Sequence, residues 1–115
     1  MRLLFIIIVT FNFYSILFAE NKIEKAYFAG GCFWCVEEYF DKVEGVIKST
    51  SGYSGGSLKN PSYQEVTYED TGHVETVEVT YDSNKVNFEK LLNIHLINID
   101  PFDNSGQFCD KGKSY

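Results

Sequence analysis

The sequence predicts an α+β domain, a two-layer ferredoxin-like sandwich in the order β-α-β-β-α. Three observations point there. A clean strand alternation occupies residues 74–81, apolar residues at helical spacing follow Cys32, and a second apolar stretch is bracketed by Asn87 and Asp100-Pro101. With 115 residues the chain is one small domain, and ten Phe and eight Tyr supply material for its core.

The elements follow in order. Met1-Arg2 is a short basic start, and Leu3 to Phe18 is mostly apolar. Ala19 then offers a small residue for cleavage before the polar Glu20-Asn21-Lys22. Residues 1–19 are read as a secretory signal peptide, because the run is shorter than the roughly 20 apolar residues that comfortably span a bilayer. The domain then occupies residues 20–115 and is expected in an exported, oxidising setting, periplasmic or secreted. An uncleaved leader would anchor it to a membrane.

Lys25 to Gly30 reads as a short buried strand, ended by Gly30-Gly31. Phe33, Val36, Phe40 and Val43 recur at helical spacing, and Gly45 stops that helix. Gly45 to Tyr53 reads as a second strand. Ser54 to Ser62, rich in Gly, Ser, Asn and Pro, reads as a loop. In the best strand Val77, Val79 and Tyr81 share one face while Thr76, Glu78 and Thr80 share the other. Asn87 suits an N-cap, with Glu89 in the first turn, and the helix is expected to run to about Ile99 before Asp100-Pro101. The polar tail from Phe102 to Tyr115 reads as a loop.

Charge narrows the partners. Beyond the leader the chain carries nine Lys against sixteen Asp and Glu, a balance of −7, and its only Arg is Arg2. A phosphate-binding surface would use Arg or clustered Lys, so nucleic acid is not an expected partner. Three cysteines, Cys32, Cys35 and Cys109, are an odd number, which in an exported protein signals a free or exchanging thiol.

Cys32 is the strongest candidate for chemistry. It follows two glycines and opens a helix, where free N–H groups and the helix dipole favour a thiolate. Cys35, three residues on, shares that side of the helix. A Cys-x-x-Cys pair reads as redox-active or as half a zinc site, but Cys109, His73 and His95 do not supply the usual second pair of ligands, so no metal is expected. Glu75 falls on the apolar face of the best strand. Buried there its pKa rises and it becomes a proton donor near neutral pH; at a fraying strand start it would be solvated instead. Phe33 and Trp34 are either core or an apolar pocket beside the nucleophile. Tyr63, Tyr115 and Asp110 lie in polar stretches and are uninformative by themselves.

Gly31-Cys32-Phe33-Trp34 resembles the signature of the A-type peptide methionine sulfoxide reductases. The similarity continues through Gly52-Tyr53-Ser54-Gly55-Gly56, Asn60-Pro61-Ser62-Tyr63, Thr71-Gly72-His73-Val74-Glu75, Tyr81-Asp82, Asp100-Pro101 and Gly106-Gln107-Phe108-Cys109-Asp110-Lys111-Gly112. All these blocks in order are highly specific. The resemblance implies reduction of methionine-S-sulfoxide, free or in proteins. It implies Cys32 as nucleophile, Glu75 as proton donor, Tyr63 and Tyr115 as hydrogen-bond partners of the sulfoxide oxygen, Phe33 and Trp34 around the S-methyl group, and Asp110 in support. A sulfenic acid on Cys32 would be resolved to a disulfide and reduced by a thioredoxin-type dithiol, with no bound cofactor, in a monomer.

Three departures from the family pattern stand out. Cys35 replaces a common Gly, which makes it the favoured resolving thiol by helical proximity, with Cys109 the rival. His95-Leu96 replaces an aromatic pair, so His95 reads as a packing substitution. The family continues with a further strand and helix beyond the point where this sequence stops, so the order lacks its last strand. Two other readings fit the residues: a thioredoxin-like disulfide exchanger using Cys32 and Cys35, and an inactive truncated fragment.

Overall fold

The computed structural model describes residues 22–115; the leader expected over residues 1–19 lies outside them. The elements are β1 (Ile23–Phe28), α1 (Phe33–Asp41), β2 (Val46–Ser54), α2 (Tyr63–Tyr68), β3 (Val74–Asp82), α3 (Phe88–Ile97), β4 (Gly106–Gln107) and β5 (Asp110–Lys111). Strands β1, β3 and β2 form an antiparallel sheet in that order, so β3 lies in the middle. The expected β-α-β-β-α order holds, with α2 and a small β4–β5 hairpin added.

The alternation of β3 decides which way the sheet faces. Glu75, Val77, Val79 and Tyr81 are all buried on one side, as period-2 geometry requires. Register brings Ala26 opposite Val79 and Phe28 opposite Val77 from β1, and Tyr53 opposite Glu75 from β2. Helices α1 and α3 cover this face. Phe28 is the hinge of the core: its ring centroid lies 4.6 Å from that of Phe40 on α1 and 5.9 Å from that of Phe88 on α3. Phe33, Val36, Phe40, Val86 and Leu91 complete the apolar cluster.

Two differences from the sequence expectations have physical causes. The segment after Pro61 turns into helix α2, started by a capping box in which Ser62 and Glu65 satisfy each other's backbone N–H groups. The Ser-x-x-Glu spacing carried that signal. The tail is not a plain loop. Gln107 pairs with Asp110 across a two-residue turn in which Phe108 takes φ 51°, and the end of the chain returns to the sheet through the Glu75 N–H, which donates to the Ser114 carbonyl at 2.8 Å. Helix α3 ends at Ile97 rather than Ile99.

Phe40 is fully buried between sheet and helices. Phe40→Ala is expected to lower the unfolding free energy by about 3–5 kcal/mol, read from the midpoint of a urea transition followed by circular dichroism.

Candidate active site

Cys32 occupies the N-cap of α1, and its carbonyl accepts from the Cys35 and Val36 N–H groups at 3.0 and 3.1 Å. The thiol is thus presented at the positive end of a helix, partly exposed. The turn before it depends on its glycines. Gly31 takes φ +89°, and a Cβ there would stand 2.5 Å from the Gln107 Cβ. Gln107 cannot retreat easily, because its side-chain amide is bonded at both ends to Asp100: Oε1 accepts the Asp100 N–H at 2.7 Å and Nε2 donates to the Asp100 carbonyl at 2.8 Å. The hairpin therefore closes on the turn from the far end of the sequence.

Glu75 resolves in favour of burial. It is 3 % exposed, and its Oε2 accepts the Phe33 N–H at 2.8 Å. Phe33 directly follows Cys32, so the carboxyl sits at the helix start one peptide unit from the Cys32 residue. Burial holds the Glu75 pKa above its ordinary value; the Phe33 N–H opposes this by favouring the carboxylate, and Asp110 pushes it up further. A carboxyl with a raised pKa beside a thiol is suited to proton transfer.

Aromatic rings line the approach. Phe33 is buried while Trp34 is 65 % exposed. The Phe33 ring centroid lies 5.5 Å from Trp34, 5.6 Å from Tyr53 and 6.5 Å from Tyr63, and Trp34 lies nearly parallel to Tyr63 at 6.4 Å. Tyr63 opens α2. His73 steadies the loop ahead of it. Its Nε2–H donates to the Leu58 carbonyl at 2.8 Å, which leaves Nδ1 to accept the Gly56 N–H at 3.3 Å. Tyr115 meets Tyr63 hydroxyl to hydroxyl. Burial first, and then that hydrogen bond, push the Tyr115 pKa up to about 12, with Glu75 and Asp110 adding their charge. The Tyr115 phenol stays protonated and can donate.

The thiols separate. A hydrogen bond with Cys32 is the main reason the Cys35 pKa rises; burial and then the charges of Cys32, Asp110 and Glu38 add to it. Cys35 and Cys32 are therefore partners. Cys109 sits exposed in the hairpin turn, next to Asp110.

Cys32, Phe33, Trp34, Cys35, Tyr63, Glu75, Asp110 and Tyr115 thus converge on the helix start. Tyr53 and Gln107 join them without having been singled out in the sequence. Tyr53 becomes visible only through its register opposite Glu75, and Gln107 only through its contact with Gly31. The other face of the sheet carries a shallow recess of about 250 Å³, lined by residues including Tyr27, Thr50, Thr76 and Glu78. No thiol lines it, and Glu78 is engaged by Lys25 and Tyr27, so the chemistry belongs to the helix side.

The raised Glu75 pKa has a stability consequence of definite sign. A group whose folded pKa lies above its unfolded value contributes fully below the unfolded pKa, near 4.5, and loses that contribution as pH rises through the folded value. Glu75→Gln avoids the loss and can still accept the Phe33 N–H. The variant's stability relative to the wild type is expected to be lowest below pH 4.5 and to grow toward neutral pH, measured by denaturation across that range.

Comparison with known proteins agrees with this constellation. A family model described as peptide methionine sulfoxide reductase matches residues 24–115. A peptide methionine sulfoxide reductase, MsrA 2, of Caulobacter vibrioides is 54 % identical over 97 residues, covering 84 % of this chain and 50 % of that protein. The MsrA of Bacillus subtilis is 50 % identical over 96 residues, covering 84 % and 54 %. Among solved structures, methionine sulfoxide reductase A of Corynebacterium diphtheriae superposes with a TM-score of 0.78 at 35 % identity, covering 81 % of this chain and 44 % of that one. Reduced Mxr1 of Saccharomyces cerevisiae gives 0.76 at 26 % identity, covering 89 % and 61 %. The chain spans about half the length of the curated relatives it matches. On this agreement of motif, fold and site, the chain belongs to the peptide methionine sulfoxide reductase family.

Proposed function

We propose that this protein reduces methionine-S-sulfoxide, free or peptide-bound, to methionine, in repair of oxidised exported proteins. The observation that carries the reading is the buried Glu75 carboxyl bonded to the Phe33 N–H beside the Cys32 thiol. A sulfoxide oxygen cannot leave sulfur without a proton, and the Glu75 carboxyl lies where it can supply one.

The Cys32 thiolate attacks the sulfoxide sulfur while Glu75 protonates the oxygen, and Tyr63 and Tyr115 donate hydrogen bonds to it. Phe33 and Trp34 receive the S-methyl group, and Asp110 supports the site through its charge on Glu75 and Tyr115. The hydroxyl then passes from the substrate sulfur to the Cys32 sulfur as the transient bond between the two sulfurs breaks, leaving a sulfenic acid on Cys32 and releasing methionine. Cys32 sulfur has then lost the two electrons that the substrate sulfur gained. Cys35, already in contact with Cys32, displaces water to form the Cys32–Cys35 disulfide, which a thioredoxin-type dithiol reduces by exchange. Cys109 has no such contact with Cys32 and is the weaker candidate for resolution. The electrons come from thiols throughout, so no bound metal or organic group takes part, and the protein acts as a monomer.

Single-turnover conversion of a methionine sulfoxide peptide by the reduced, folded protein tests the reading. Cys32→Ser is expected to abolish product, and Glu75→Gln to slow it by roughly 10²–10⁴-fold, the usual worth of a general acid. Cys35→Ser should still form one methionine but accumulate a sulfenic acid trappable by dimedone, whereas Cys109→Ser should form the disulfide normally. A folded wild-type protein that yields no methionine would sink the proposal.

The exported setting is part of the same proposal. It is supported by the basic start, apolar run and small residue before Glu20. Expression with its leader should yield an exported product whose N-terminus, read by Edman degradation, is Glu20; recovery of the whole protein in the cytoplasm with Met1 retained would overturn it.

A further inference from the structure

His95 is a buried titratable side chain for which the chemistry above has no use. As a packing residue it needs only volume, yet the structure gives it more. It is 6 % exposed, lies with its ring 5.1 Å from Phe28 and parallel to Phe40 at 6.3 Å, and uses both nitrogens. Nε2 lies 3.2 Å from the Ala29 carbonyl and carries the hydrogen, because a carbonyl can only accept. Nδ1 is then bare and accepts from the Tyr39 hydroxyl at 2.6 Å. One neutral imidazole thereby joins α3, on which it sits, to α1 through Tyr39 and to the segment leaving β1 through Ala29.

That segment is Ala29-Gly30-Gly31-Cys32. The ring also seats directly on it: a Cβ on Gly30 would stand 2.8 Å from the His95 Cε1. Gly30 has no room for a side chain because the imidazole and the Ile99 Cγ2, also 2.8 Å from such a Cβ, occupy that space, just as Gly31 leaves room for Gln107.

We propose that His95 is a positioning residue for Cys32, its neutral ring fixing the Ala29 carbonyl to helix α1 and bearing on Gly30 so as to hold the turn that presents the thiol. This rests on Cys32 being the nucleophile. It distinguishes His95 from an apolar aromatic in the same place, which would fill the volume and hold neither group.

Protonation works against the arrangement. The titratable group facing His95 from α1 is Tyr39, with Cys35 one turn before it and acting on it; from β1 come only the Phe28 ring and, just beyond, the Ala29 carbonyl. Burial holds the His95 pKa below its ordinary 6.5, and the Ala29 carbonyl only partly opposes this. A second N–H on Nδ1 would meet the Tyr39 oxygen and force that hydroxyl to turn its hydrogen elsewhere.

The test compares wild type, His95→Phe and His95→Gln in the full chain. Gln can still donate to the Ala29 carbonyl and does not titrate. Two readouts are used: the rate of Cys32 alkylation by iodoacetamide, assigned by mass spectrometry, and single-turnover reduction of a methionine sulfoxide peptide. His95→Phe is expected to slow both by about tenfold, the effect of one buried hydrogen bond, while Gln recovers to within about threefold of wild type. The ratio of wild-type to Gln rates should be flat at neutral pH and fall as pH drops below 6.5, since thiol titration is common to both. Equal rates for a folded Phe variant and wild type in both assays, or equal losses for Phe and Gln, would overturn the proposal. If Phe fails to fold, the pH dependence of the wild-type to Gln ratio decides: a flat ratio overturns it. If no sulfoxide is reduced but alkylation still follows residue 95, the sulfoxide reading fails and the positioning role stands.

Discussion

The hydrogen bond from the Phe33 N–H to the Glu75 carboxyl is the contact on which the site depends. A carboxyl on the core face of the central strand is costly unless it is bonded or protonated. The start of α1 supplies a free N–H, which helix geometry leaves without an internal partner. Each end thus satisfies a need of the other. The consequence is geometric: β3 and α1 can only meet with the carboxyl at the helix start, and Cys32, the N-cap, is carried to that point.

The turn before Cys32 is held by groups far away in sequence. His95 bears on Gly30, and Gln107, anchored to the Asp100 backbone, bears on Gly31. The tail returns to β3 through Ser114 and delivers Tyr115 and Asp110 to the carboxyl. Two glycines are needed because two side chains approach the backbone from different elements. A thiol in so short a turn gains its precision from these long-range contacts and not from the turn itself. The same contacts link the site to folding, because loosening α3 or the hairpin loosens the thiol.

Much of this was legible from local pattern. The alternation around Val77 and Val79 showed which face of β3 is buried, and extending it by one step placed Glu75 on that face. The helical recurrence after Cys32 placed the thiol at a helix start, and three-residue spacing placed Cys35 beside it. The Ser62–Glu65 capping box is equally local, and it begins at the last residue of the stretch that reads as a loop. These are all local signals, set by the period of the backbone and by the caps it needs.

Sequence by itself determined the α+β order, the placing of the Cys32 thiol at a helix start, its neighbour Cys35 and the ambiguous carboxylate, because each follows from a periodicity or a spacing within one element. Tertiary structure decided the rest. Glu75 could have been solvated at a fraying strand end; pairing with Tyr53 on one side and docking of Ser114 over its start removed the water. His95 could have been mere packing; only the meeting of α1, α3 and the β1 exit showed both its nitrogens in use. Burial and hydrogen-bond partners belong to pairs of residues remote in the chain, and no local pattern records which pairs will meet.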